Sequence, residues 1–148
     1  MKEIMVAIDG SEGSEAAIEE ALRLARATAA HITFACVRKP PPSFFGSPYY
    51  ERLLLSEVGK AREIVAEALA RAKDVGVEAQ ATTLEGDPAD EIVSLADNRA
   101  ADLIVMGSRR QGPLAGALVG SVSSEVIQHA NVPVLIAKRV AVRHAQVA

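Results

Sequence analysis

The 148-residue chain has one cysteine, three histidines and no tryptophan. A single cysteine cannot close an internal disulfide, and Cys36 lies inside the apolar run ITFACV, so an inert buried thiol is expected. Charge of either sign is never concentrated: 16 Lys and Arg stand against 19 Asp and Glu, for a formal net charge of -3. That leaves no electrostatic footprint for nucleic acid or an anionic membrane, and neither is expected as a partner. Nothing reaches the roughly 18 consecutive apolar residues of a transmembrane helix. Met1 runs through Lys2 and Glu3 straight into a strand-like segment, without the charged region, apolar stretch and cleavage site of a signal peptide. A cytoplasmic protein is expected. The histidines at 31, 129 and 144 are too scattered to suggest a nucleophile and base pair or a metal cluster, and no catalytic residue is assigned. The GxxxxGK[ST] phosphate loop and the GxGxxG dinucleotide fingerprint are both missing.

What is present is alternation. Hydrophobic residues make up 49% of the chain, enough to cover both faces of a modest sheet, and the length fits one domain over 1–148. IMVAI (4–8), HITFACV (31–37), DLIVM (102–106) and VPVLIA (132–137) are short, apolar and without a helical stripe, as strands buried on both faces are. VEAQATTL (77–84) alternates, as an edge strand with one wet face would. Between the strands, Ile18, Ala21, Leu22 and Ala25 share a helical face, and Leu54, Val58, Ala61, Val65, Ala68 and Ala72 form a longer one. A third helix is predicted over 88–99 with Pro88 in its first turn, and a fourth along Val119, Val122, Val126 and Ala130. Strands alternating with helices predict an α/β fold: an open parallel sheet with helices on both faces, Rossmann-like in its build.

Three loops stand out. Residues 38–50, RKPPPSFFGSPYY, hold four of the seven prolines and four of the five aromatics, which predicts a structured loop that either packs over the sheet or covers a ligand. AIDGSEGSEAA (7–17) ends a strand in Asp9, turns on Gly10 and Gly13, and offers Ser11 or Ser14 as a helix cap. Asp9 there could accept hydrogen bonds from a ribose or a base amine, or serve only the turn. MGSRRQGPLAGALVGSVSSEV (106–126) contains four glycines, whose backbone N–H groups can converge on an anion. A helix starting at Gly120-Ser121-Val122-Ser123 would point its N-terminus at the same anion.

Gly107, followed by Gly120-Ser121 after DLIVMG and before VSSEVIQHANVPVLIAK, resembles the universal stress protein family, as do MVAIDGSEGSEAAIEEALRLA and EGDPADEIVSLADNRAADLIVMGSR. The resemblance covers the whole chain. It implies a five-stranded sheet in the order 3-2-1-4-5, a dimer, and, in nucleotide-binding members, the motif G-2x-G-9x-G-[S/T]. Gly107, Gly120 and Ser121 match that motif, and Arg110 stands at its second glycine. By this resemblance an adenine nucleotide, ATP or a relative, would place its base against Ala7, Asp9, Val37 and Met106, its ribose near Gly107, and its phosphates on Gly120, Ser121, Val122 and Ser123. Arg110 brings a Cβ and a long side chain to a position where bare backbone would approach phosphate. Its guanidinium, and that of Arg109 beside it, is equally a bidentate phosphate partner. A Mg²⁺ on the phosphates would draw on Ser121 or Ser123, and hydrolysis, if any, would be slow.

In the implied strand order, residues 132–137 form an exposed edge, which a second copy would cover antiparallel across a two-fold axis, unless the tail 140–148 folds over it. A homodimer acting as a nucleotide-binding regulator in the stress response is the resulting expectation. Its alternative is a dimeric interaction protein of the same fold without nucleotide. An adenine-nucleotide hydrolase would call for an SGGxDS-like loop where DGSEGS stands, and a response-regulator receiver for an acidic neighbour to Asp9.

Overall fold

The computed structural model describes residues 1–43, 46–108 and 120–138. Five strands, β1 (Glu3–Ala7), β2 (His31–Arg38), β3 (Ala79–Glu85), β4 (Leu103–Gly107) and β5 (Val134–Ala137), form one sheet in the order β3-β2-β1-β4-β5. Every pairing is parallel. The connections are α1 (Glu12–Thr28), α2 (Tyr49–Asp74), α3 (Pro88–Asn98) and α4 (Ser121–His129).

Alternate strand residues face opposite sides, and both sides are covered, which is why β1, β2 and β4 read as unbroken apolar runs. Ile4, Val6, Ile32, Phe34 and Cys36 pack under Ala17, Ala21 and Ala25 of α1 and Ala61, Ala68 and Ala72 of α2. Met5, Ala35, Ile104 and Met106 pack under Ala89, Ile92 and Ala96 of α3 and Val126 of α4. The many alanines on the helices bring their axes close to the sheet. The chain runs from β1 outward to β3 and then crosses back to β4, so the direction of winding reverses between β1 and β4. Helices α1 and α3 therefore leave opposite faces at that point, and a crevice opens at the carboxyl ends of the strands.

Several boundaries differ from those expected, each for a local reason. β3 begins at Ala79, not at 77, because the Val77 N–H closes the end of α2 on the Ala72 carbonyl at 2.9 Å. β5 begins at Val134, not at 132: Pro133 has no N–H to give and contributes only its carbonyl, to the Ile104 N–H at 3.0 Å. β3 is half-buried along much of its length and does not show the clean wet and dry alternation expected of it. Tyr49 and Tyr50 belong to α2, not to the preceding loop, and Tyr49 is 52% exposed. β1 and β4 are each displaced by one residue from the expected spans. Phe44, Phe45, Val119 and the tail from 139 onward lie outside the described residues.

Candidate functional site

A cleft of about 460 Å³, counting the solvent at its mouth, opens at the carboxyl ends of β1, β2 and β4. Its floor is sheet: Ala7, Ala35, Val37 and Met106. Ala7 and Ala35 are register partners on neighbouring strands, so two methyl groups lie side by side where larger residues would fill the space. One wall is α3, through Pro88 and Ile92, another is the first turn of α4, through Val122 and Ser123, and the third is the β1–α1 turn, through Asp9, Ser11 and Ser14. The floor suits a flat apolar ring. The walls are polar at the ends and apolar between.

The β1–α1 turn is held by a closed set of hydrogen bonds. Asp9 Oδ1 accepts from the Ser11 N–H at 3.0 Å and from the Ser14 hydroxyl at 2.7 Å, and Ser14 Oγ in turn accepts from the Asp9 N–H at 2.7 Å. Ser11 caps α1 by accepting from the Ser14 N–H at 3.3 Å. Of the two serines available as caps, Ser11 is the cap and Ser14 braces the acid. Asp9 thus serves the turn, and it also lines the cleft. Cys36 lies on the opposite face of β2, where burial, and secondarily the negative charge of Asp9, push its thiol above the ordinary range. A thiol kept protonated is a poor nucleophile.

Three helices, α1, α3 and α4, point their N-termini toward the cleft, and they are not equivalent. α1 has Ser11 as its cap with Glu12 and Glu15 in its first turn, and α3 has Asp87, which accepts from the Asp90 N–H at 3.2 Å, with Asp90 and Glu91 behind it. Both ends are already satisfied and already negative. α4 starts after Gly120 with no side-chain cap and no acid in its first turn. Its first N–H groups, with no intrahelical partner, carry the positive end of the dipole next to Ser123, which is 2% exposed. Of the three, α4 is the end built to receive an anion.

Gly107 is fixed by packing. A Cβ there would lie 2.0 Å from the Gly13 carbonyl oxygen and 2.6 Å from Gly13 Cα. In return, a Cβ on Gly13 would lie 2.4 Å from the Ser108 carbonyl oxygen. Backbone meets backbone, so the first turn of α1 docks directly on the end of β4 and sets the width of the cleft between them. Gly120, by contrast, has an ordinary extended backbone, φ -65° and ψ 167°, and no left-handed angle explains the glycine.

Of the residues singled out from the sequence, Ala7, Asp9, Val37, Met106, Gly107, Val122 and Ser123 line this one cleft. Gly120 and Ser121 adjoin it as the cap and first residue of α4. Arg109 and Arg110 lie outside the described residues. Sequence reasoning missed Ile8, Ala35, Pro88 and Ile92 as lining groups, and it saw Ser11 and Ser14 only as caps. Ala35 carried a usable signal, since it stands two residues before Val37 and so on the same face of β2. Pro88 and Ile92 carried none, because only the packing of α3 brings them over the cleft. His31 sits at the opposite end of the sheet, with Nδ1 at 2.9 Å from Glu3 Oε2, and His129 ends α4. No helix among the described residues is long and apolar enough to cross a membrane.

Residues 1–138 match the profile of the universal stress protein family. A universal stress protein of Thermus aquaticus is 35% identical over 138 residues, spanning 93% of this chain and 98% of its own length. Among solved structures, a universal stress protein in complex with cAMP is 31% identical, with a TM-score of 0.67 over 93% of this chain and 96% of its own. The universal stress protein from Archaeoglobus fulgidus in complex with dAMP is 27% identical, with a TM-score of 0.70 over 93% of this chain and 98% of its own. The sheet order, the cleft at the reversal of winding and these likenesses agree: the chain belongs to the universal stress protein family.

Proposed function

We propose that the chain binds an adenine nucleotide in this cleft as a regulatory ligand in the stress response. The observation that carries the reading is the contrast among helix ends: among the described residues, α4 alone of the three facing the cleft is neither capped by a side chain nor fronted by acids. An anion is favoured there and disfavoured at the other two. The apolar floor of Ala7, Ala35, Val37 and Met106 then takes the base, Asp9 beside it meets the base amine or a sugar hydroxyl, Gly107 lies near the sugar, and Gly120, Ser121, Val122 and Ser123 take the phosphate. The ligands bound by the relatives, cAMP and dAMP, share adenine, a pentose and one phosphate, the three parts for which the cleft has surfaces.

ATP is the ligand we assign as the full-length occupant. Arg109 and Arg110, which lie outside the described residues, are assigned to its outer phosphates on the sequence alone. A Mg²⁺ shared with those phosphates would draw protein oxygen from Ser121 or Ser123. Regulation is proposed over turnover because the described residues lining the cleft include no histidine and Asp9 Oδ1 already accepts two protein hydrogen bonds. We further assign a cytoplasmic homodimer joined through β5. That strand is an edge with Val134, Leu135 and Ile136 only half-buried, and Ile127 on the neighbouring α4 is 48% exposed. A second β5, antiparallel across a two-fold axis, would cover both.

The test compares ATP and AMP affinity of the wild type with Gly120→Asp, measured by calorimetry, and assays purified protein for adenine released on heating. A carboxylate at the α4 N-terminus opposes the field that attracts phosphate, so Gly120→Asp should weaken binding by about tenfold or more at unchanged fold. Equal affinity of the two proteins would refute the site. Protein that carries no nucleotide and binds none at millimolar concentration would instead favour the dimeric interaction protein, for which Arg110 at the motif's second glycine is the feature.

A further inference from the structure

We infer that Ser14 is a positioning residue for Asp9: its buried hydroxyl holds the exposed carboxylate in the orientation in which it meets a donor on the ligand. The inference rests on the nucleotide reading of the cleft. Ser14 is the third residue of α1, the place where a capping box has Glu or Gln reaching back to the N–H of the cap. Here that N–H, of Ser11, is taken by Asp9 Oδ1 at 3.0 Å, which leaves the third side chain free for another partner. Ser14 turns to the same aspartate, accepting from its N–H and donating to its Oδ1, both at 2.7 Å.

A hydroxyl has one proton, and this one is committed to Asp9. Ser14 therefore lines the cleft without having a proton to offer a ligand, and its effect on a ligand passes through the acid. Its two bonds grip Asp9 on either side of the Cα–Cβ bond, fixing backbone and rotamer together. The asymmetry of burial gives the grip its direction. Ser14 is 5% exposed and pinned by the packing of α1, whereas Asp9 is exposed, so the Ser14 hydroxyl adds a buried anchor to the one that the Ser11 N–H gives Oδ1. An acceptor held in place before the ligand arrives loses less freedom on binding it. DGSEGS is on this view one unit, with the acid as the contact, Ser11 as the cap and Ser14 as the brace.

The test measures binding of AMP, 2′,3′-dideoxy-AMP, which lacks the sugar hydroxyls, and purine riboside 5′-monophosphate, which lacks the base amine. Calorimetry is run on the full chain as wild type, Asp9→Ala, Ser14→Ala and the double variant, below the melting temperature of each. Wild type should prefer AMP over one of the two analogues by about tenfold or more, since a hydrogen bond to a carboxylate is at stake. Asp9→Ala and Ser14→Ala should each lose that preference, and the double variant should be no worse than Asp9→Ala. Where the alanine variant does not fold, Ser14→Cys, close in size and a far weaker donor, should lose the preference in the same way. A Ser14 variant that keeps the preference while Asp9→Ala loses it overturns the inference and leaves nucleotide binding standing. So does a wild type that binds AMP and discriminates against neither analogue. A wild type that binds none of the three overturns the nucleotide reading itself, and the inference with it.

Discussion

Gly107→Ala should be among the most damaging single-methyl substitutions available in this protein, and the structure gives the reason in ångströms. The added Cβ would stand 2.0 Å from the Gly13 oxygen, 2.1 Å from its carbonyl carbon and 2.6 Å from its Cα, where ordinary contact begins at 3.4 Å. All three atoms are backbone, so no rotamer change relieves the clash. The first turn of α1 and the end of β4 must separate by about 1 Å or more, against a helix whose Ala17, Ala21 and Ala25 are buried on the sheet. Overpacking of this kind costs about 1 to 3 kcal/mol where side chains can adjust, and the upper figure applies where they cannot. At about 2 to 4 °C per kcal/mol for a chain near 150 residues, the melting temperature should fall by roughly 6 to 12 °C. Thermal denaturation followed by circular dichroism in the absence of nucleotide reads the effect directly. A melting temperature within 2 °C of wild type would refute the contact, and with it the claim that Gly107 is glycine because α1 docks there.

Gly59→Ala is the converse case. It lies inside α2, exposed, and a Cβ added there would meet nothing within 4 Å, so the substitution should raise stability by about 0.5 to 1 kcal/mol by denaturant titration; a loss of stability would show that the space is not open. Asp102 should make stability depend on pH in the acid range. Its carboxylate accepts from the Lys2 N–H at 2.7 Å and the Glu3 N–H at 3.0 Å, and these bonds, Lys2 foremost, hold its pKa below the ordinary value. A pKa depressed in the folded state means a contribution that is complete above the unfolded value of about 3.9 and lost as pH falls through the folded value. Wild type should therefore exceed Asp102→Asn in stability at pH 7, with the gap narrowing below pH 4. A gap that is constant from pH 7 to pH 3 would contradict this.

How much of the molecule its sequence discloses depends on the range of the interaction concerned. Asp87-Pro88 starts α3 where expected because capping is a contact between residues three apart, and the buried strands are legible because both faces of each are apolar. Such local patterns give the class of fold, with alternation of strand and helix enough to require a parallel sheet, while the strand order comes from the resemblance to the family. What could not be read is where distant pieces touch. Gly13 and Gly107 look like two loop glycines among ten, and nothing in the composition says that the backbone of one excludes a Cβ on the other across 94 positions of chain.

The same limit explains the walls of the cleft. Pro88 was legible as a helix-starting residue, and it does start α3; Ile92 was not singled out, and it is buried against the sheet. Their second role arises only because the winding reverses between β1 and β4, which swings α3 across the sheet and over the ends of strands that are far from it in sequence. Ser14 is the intermediate case. Its neighbours in sequence are its neighbours in space, yet whether its hydroxyl caps the helix or braces Asp9 turns on a choice between two local partners of equal chemistry. Ser11 occupies the cap, and its own N–H is taken by Asp9, so Ser14 has the aspartate left to bind. Local propensity names the candidates for each role, and competition among them within the folded turn assigns the roles.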